Sequence, residues 1–196
     1  MMLRRAASFF RPRGAGRVSR EPFLQQVIPL HQTGAELGVY LGEFTAELLS
    51  VTAPRKLHLI DPWYRLGAEW DWGPKQNRST VEALAGIMRR YTNELVSGQA
   101  ELHIGGDLDV LAAFPDSYFD WVYVDSSHAY EHTYAELEIL ERKVKPEGVI
   151  AGDDWRPDPT HRHHGVYRAV MEWTKAKPYA LVYGDTTDLQ WAIRRR

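Results

Sequence analysis

The residues of this chain that could do chemistry fall in four short stretches. Glu36, Gly38, Tyr40 and Gly42 lie in AELGVYLGEF, Asp61 ends the apolar run KLHLID, Asp125 and His128 stand three apart in VDSSHAY, and Asp153 and Asp154 are adjacent in AGDDW. Two glycines four apart let a backbone turn sharply and approach a ligand with no side chain in the way. Carboxylates gathered in one place repel unless a cation or a proton offsets them. An imidazole, with an ordinary pKa of about 6.5, can accept a proton at neutral pH. His128 and His132 are four apart, a zinc-ligand spacing, but the Glu of an HExxH pattern is missing.

The elements that must position these groups follow from hydrophobic periodicity. Ala35 to Val39 predicts a strand, and Phe44 and Leu48 behind the glycines repeat at helical spacing, so Ala35 to Ser50 is strand, glycine turn, helix. The spacing Glu-x-Gly-x-x-x-Gly lacks the extra early glycine of the dinucleotide fingerprint. Lys56 to Asp61, Glu101 to Ile104, Phe119 to Val124 and Val149 to Ala151 predict four more strands. FDWVYV is apolar at nearly every position, as a parallel strand covered on both faces requires. Phe23 to Leu30 reads as a lead-in helix or turn. One helix is predicted behind the capping box Ser79-x-x-Glu82, with Val81, Leu84, Ile87, Met88, Tyr91 and Leu95 on one face. Another runs through Tyr134, Leu137, Leu140 and Val144 to Pro146, and a third carries Val166, Val170 and Trp173. Ala180 to Tyr183 and Leu189 to Ile193 flank a GDTTD turn and predict an antiparallel hairpin. The fold expected is α/β, a Rossmann-like doubly wound, mostly parallel sheet with a C-terminal antiparallel hairpin. In such sheets ligands bind at the carboxyl ends of strands, where Asp61, Asp125, Asp153 and Asp154 all fall.

Composition narrows the chemistry further. A chain of 196 residues, 44% hydrophobic, can bury one substantial core. It has no cysteine, which excludes disulfides, thiolate zinc sites and a cysteine nucleophile. No apolar run is long enough to span a bilayer as a helix, so a soluble protein is expected. Six of the 24 basic residues, Arg4, Arg5, Arg11, Arg13, Arg17 and Arg20, precede the first acid; subtracting them leaves 18 bases against 26 acids, or -8, for the rest. Residues 1–22 are therefore read as a basic, solvated tail and 23–196 as a single domain. A cytoplasmic location is expected, with organellar targeting by the arginine-rich tail left open. The acidic body argues against nucleic acid as the main partner. Trp63 to Arg78, with Trp63, Tyr64, Trp70 and Trp72 among glycines, reads either as a binding loop or as rings packed over a sheet edge. His161, His163 and His164 read as a solvated loop that follows strand five.

The stretches AELGVYLGEFTAELL, LIDPW, IGGD, FDWVYVDSSHAYEHTYAELE and KVKPEGVIAGDDW resemble class I S-adenosylmethionine-dependent methyltransferases, in particular the metal-dependent catechol-type and sugar or antibiotic O-methyltransferases. The resemblance covers about Thr33 to Arg194. It implies that Glu36, Gly38, Tyr40 and Gly42 face the methionine part of S-adenosylmethionine, that Asp61 accepts from the ribose hydroxyls, and that Asp107 lies beside the adenine. It further implies that Asp125, Asp153 and Asp154 hold Mg2+ or a similar divalent cation. His128 stands where catechol-type enzymes carry a lysine base, which makes it the expected general base. The function so implied is methyl transfer to a hydroxyl of a small molecule, with metal assistance. Two alternatives stay open: a metal-free methyltransferase with His128 as base, and a non-catalytic nucleotide-binding or interaction module. A homo-oligomer is compatible with either.

Overall fold

The computed structural model describes residues 18–64 and 80–196. The expected loop residues Trp70 and Trp72, the cap Ser79 and most of the arginine-rich tail lie outside the described residues. Seven strands form one sheet in the order β3-β2-β1-β4-β5-β7-β6, with β1 (Thr33–Leu37), β2 (Lys56–Asp61), β3 (Ala100–Ile104), β4 (Phe119–Val124) and β5 (Val144–Gly152) parallel. The predicted hairpin is β6 (Tyr179–Gly184) and β7 (Trp191–Arg195), and its second strand pairs antiparallel with β5.

Alternation along β4 divides the core. Trp121 and Tyr123 face one layer with Phe23, Leu24 and Val27 of α1 (Glu21–Val27), Phe44 and Leu48 of α2 (Glu43–Thr52), and Ile87 of α3 (Thr80–Arg90). Val122 and Val124 face the other, with Leu111 of α5 (Asp107–Ala113), Leu137 and Leu140 of α6 (Tyr130–Lys143), and Val170 and Trp173 of α7 (His164–Ala176). Both faces are covered, so these strands carry apolar residues at consecutive positions. Gly34 of β1 sits beside Trp121 of β4, and a Cβ on Gly34 would lie 2.1 Å from the indole.

Three expectations change in detail. The single helix after residue 79 is two, because α3 ends at Arg90 and Tyr91 (φ -110°, ψ 30°) leads into α4 (Thr92–Ser97). Tyr91 leaves helical geometry as its hydroxyl reaches the Gly42 carbonyl, so the buried face is Ala83, Ile87 and Tyr91 while Val81 and Met88 are exposed. Val144 opens β5 rather than closing the preceding helix. Finally, α1 begins at Glu21 with Glu21 and Pro22 exposed, and Arg20 before it, inside the expected tail, is 2% exposed.

Candidate active site

The carboxyl ends of β1, β2, β4 and β5 meet where the strand order crosses from β1 to β4, the switch point at which open α/β sheets bind ligands. Backbone bonds carry the ladders past the strand ends: Gly38 N–H donates to the Ile60 carbonyl at 3.0 Å, Asp125 N–H to Leu37 at 2.9 Å, and Asp153 N–H to Val124 at 3.1 Å. The loop after β1 is therefore fixed between its neighbours. Gly38 has φ +81°, and a Cβ there would meet the Asp125 carbonyl oxygen at 2.1 Å. Gly42, at φ +68°, precedes α2, and its carbonyl accepts from the Tyr91 hydroxyl.

Asp61 organises this loop. It is 2% exposed, and its Oδ2 accepts from the N–H groups of Val39 and Tyr40, each at 2.9 Å. Tyr40 takes φ 47°, unusual for a residue with a side chain, and its carbonyl accepts from the indole of the buried Trp63 at 3.0 Å. Glu36 on β1 is buried and accepts from Thr45 Oγ1 at 2.6 Å. Burial pushes its pKa up to about 8, against the Thr45 hydrogen bond. Asp107 opens α5 and belongs to a separate group: His132 Nε2 lies 2.8 and 2.9 Å from its two oxygens, and the Leu108 N–H donates to it at 2.7 Å. Its carboxyl is held low despite burial, chiefly by His132. His132 therefore serves Asp107, and the four-residue spacing of His128 and His132 does not put them on one helix, because α6 starts only at Tyr130.

The structure brings Asp125, His128, Asp153 and Asp154 together, and adds residues that sequence reasoning missed. Asp154 Oδ2 lies 2.8 Å from His128 Nε2 and 2.9 Å from His163 Nδ1, and the two imidazoles stack with centroids 4.0 Å apart and planes within 4°. His163 is thus drawn out of the expected solvated loop by a charge. Burial works against a protonated His128, but Asp125 and Asp154 outweigh it and push its pKa up to about 9. His163 shifts the other way, chiefly through burial. Burial works against an ionised Asp154, but both imidazoles outweigh it and hold its carboxyl low. Burial and the neighbouring Asp153 push Asp125 up to about 6 in spite of His128 and Arg20.

Arg20 is the other addition. Its guanidinium is hydrogen-bonded to Asp153 Oδ2, lies 3.5 Å from Asp125 Oδ2, and sits 4.5 Å from the centroid of the Phe44 ring. Asp153 Oδ1 accepts from Gln190 Nε2 at 2.7 Å, and Gln190 Oε1 accepts from the Tyr123 hydroxyl at 2.5 Å. The three acids fall within ligand distance of one another, as the divalent-ion expectation requires. At Asp125 and Asp153, however, a guanidinium already spans the two carboxylates, while Asp154 groups with His128 and His163 as a second set of donors within ligand distance of one another.

A family profile described as a methyltransferase domain matches residues 35–155. The chain thereby belongs to the methyltransferase-domain family, in its class I, S-adenosylmethionine-dependent form. No curated protein matches it with significance. Among solved structures, an SAH-bound methyltransferase from Podospora anserina is similar over 90% of this chain and 76% of its own, at 14% identity and a TM-score of 0.59. An rRNA methylase from Streptococcus thermophilus is similar over 89% and 93%, at 14% identity and 0.57. A spermidine synthase from Thermotoga maritima is similar over 89% of this chain and 55% of its own, at 17% identity and 0.53. At these identities the likeness is one of fold.

Proposed function

We propose that the chain transfers the methyl group of S-adenosylmethionine to a hydroxyl of a small molecule, with His128 as the proton acceptor. The observation that carries this reading is the placement of His128 between Asp125 and Asp154, at the strand ends that flank the glycine loop. In it, Glu36, Gly38, Tyr40 and Gly42 border the methionine part of the donor, Asp61 meets the ribose, and Asp107 lies towards the adenine. The acceptor hydroxyl lies against His128, which takes its proton as the oxygen attacks the sulfonium methyl; the C–S bond breaks and leaves S-adenosylhomocysteine. An acidic body favours a small hydroxylated acceptor over nucleic acid.

A bound Mg2+ would supply Lewis acidity to the acceptor oxygen. Asp125, Asp153 and Asp154 are the residues expected to hold it, but Arg20 is hydrogen-bonded to Asp153 and lies 3.5 Å from Asp125, and the His128 and His163 rings lie against Asp154. We therefore place proton removal on His128 alone. A base of pKa about 9 is strong, and at pH 7 only about one molecule in a hundred carries it deprotonated.

Two measurements test the reading. Calorimetry is expected to show S-adenosylmethionine and S-adenosylhomocysteine binding to the full chain. With an acceptor found by screening hydroxylated compounds, kcat is expected to rise with pH towards about 9, and His128→Gln to lose at least about a hundredfold in kcat with cofactor affinity kept. A chain that binds neither cofactor, or a His128→Gln variant with normal turnover, removes the proposal.

A further inference from the structure

We infer that Arg20 is the resident cation of the acid cluster and takes the place that a divalent metal would have at Asp125 and Asp153. The inference rests on the reading of this site as the methyl-transfer site, but its geometry stands by itself. Arg20 lies outside the residues that match the family, 133 positions before Asp153, and yet its side chain is 2% exposed at the strand ends. A buried guanidinium is expensive unless its charge is met. Here it is met by two carboxylates, and its face lies on Phe44. From the acids' side the same arrangement solves the repulsion between Asp125 and Asp153, because the Arg20 guanidinium lies against both.

A hard divalent ion at these acids would need oxygens directed at one point. Asp153 has one oxygen on Arg20 and the other on the Gln190 amide, and that amide is fixed in turn by the Tyr123 hydroxyl. An ion shared by Asp125 and Asp153 could enter only by expelling Arg20 from a buried seat. Arginine stays charged at any working pH, so the substitution is permanent. It supplies charge and hydrogen bonds but no coordination site for an acceptor oxygen, which agrees with leaving proton removal to His128.

The test reads metal binding directly. Mn2+ is titrated into the full chain saturated with S-adenosylhomocysteine, and into the chain without it, with free Mn2+ followed by electron paramagnetic resonance. The wild-type chain is expected to show, up to millimolar ion, no saturable site that Asp153→Asn removes, and Arg20→Lys to behave likewise. Arg20→Ala is expected to gain one saturable site, at least about tenfold tighter than any wild-type binding, that disappears when Asp153→Asn is added. Saturable wild-type binding that Asp153→Asn abolishes overturns the inference, as does a folded Arg20→Ala chain that gains no site. Should Arg20→Ala not fold, the wild-type, Arg20→Lys and Asp153→Asn titrations decide alone. Because the ion is also titrated without cofactor, a failure of cofactor binding is distinguishable from a failure of the Arg20 assignment.

Discussion

At the scale of single residues, Asp61 has two duties that one substitution can separate. Its Oδ2 fixes the backbone of Val39 and Tyr40, and the proposed cofactor contact uses the same carboxylate. Asp61→Ala leaves two inward-facing amides without their acceptor, and each such loss costs about 1 to 3 kcal/mol. We expect Asp61→Ala to lower both thermal stability and S-adenosylhomocysteine affinity, the latter at least about tenfold. Asp61→Asn keeps one carbonyl oxygen for the loop, so it should hold stability near wild type and lose affinity alone; parallel thermal unfolding and calorimetry check the split. Asp61 was legible because it ends an apolar run just before a proline, whereas its two loop amides were not, since a sequence does not say which oxygen faces which strand.

At the scale of elements, the loop from β1 to α2 is held by close approach. Gly38→Ala would need a methyl group within 2.1 Å of the Asp125 carbonyl oxygen at a φ of +81°. Strain alone costs about 1 to 3 kcal/mol, and the clash must push β1 and the β4 end apart. The expected outcome is a loss of at least about 2 kcal/mol in unfolding free energy by denaturant titration, with cofactor binding reduced beyond that of a remote core variant. The glycine turn and all five parallel strands were visible in periodicity, because each is a local pattern. Arg20 was not, because it reads as one of six arginines ahead of the first acid and its acidic partners are far along the chain. His163 was half visible: HRHHG follows β5 and so lies at the ligand end, but only its stacking on His128 and its distance to Asp154 show that it serves the site. The α3–α4 break was hidden for the opposite reason, since apolar spacing alone does not reveal that Tyr91 turns out of the helix to reach Gly42.

At the scale of the whole molecule, the buried titrating groups set a pH dependence of stability. Glu36 has a folded pKa of about 8, above its unfolded value, so the proton it holds in the fold favours the folded state less and less as pH rises to 8. His128 at about 9 acts with the same sign: its contribution is complete below the unfolded histidine value and lost as pH rises through 9. The expected outcome is a Tm that falls steadily between pH 6.5 and 9, with a shallower fall in Glu36→Gln; scanning calorimetry across that range checks it. Towards acid, Asp154 works the other way, because its folded pKa lies below the unfolded one and its contribution is lost as pH falls.

The separation of 133 residues between Arg20 and Asp153 also bears on the order of events during synthesis. Arg20 leaves the ribosome early, when neither acid has been made, and Gln190, which holds the other oxygen of Asp153, comes much later. Contacts between sequence-distant partners form late, after loop-closure entropy has been overcome. The acid cluster at the strand ends is therefore completed only when both Arg20 and β7 are present, and a nascent chain halted before β7 would leave Asp153 without its Gln190 partner. Competence for methyl transfer would then wait until the hairpin has been made.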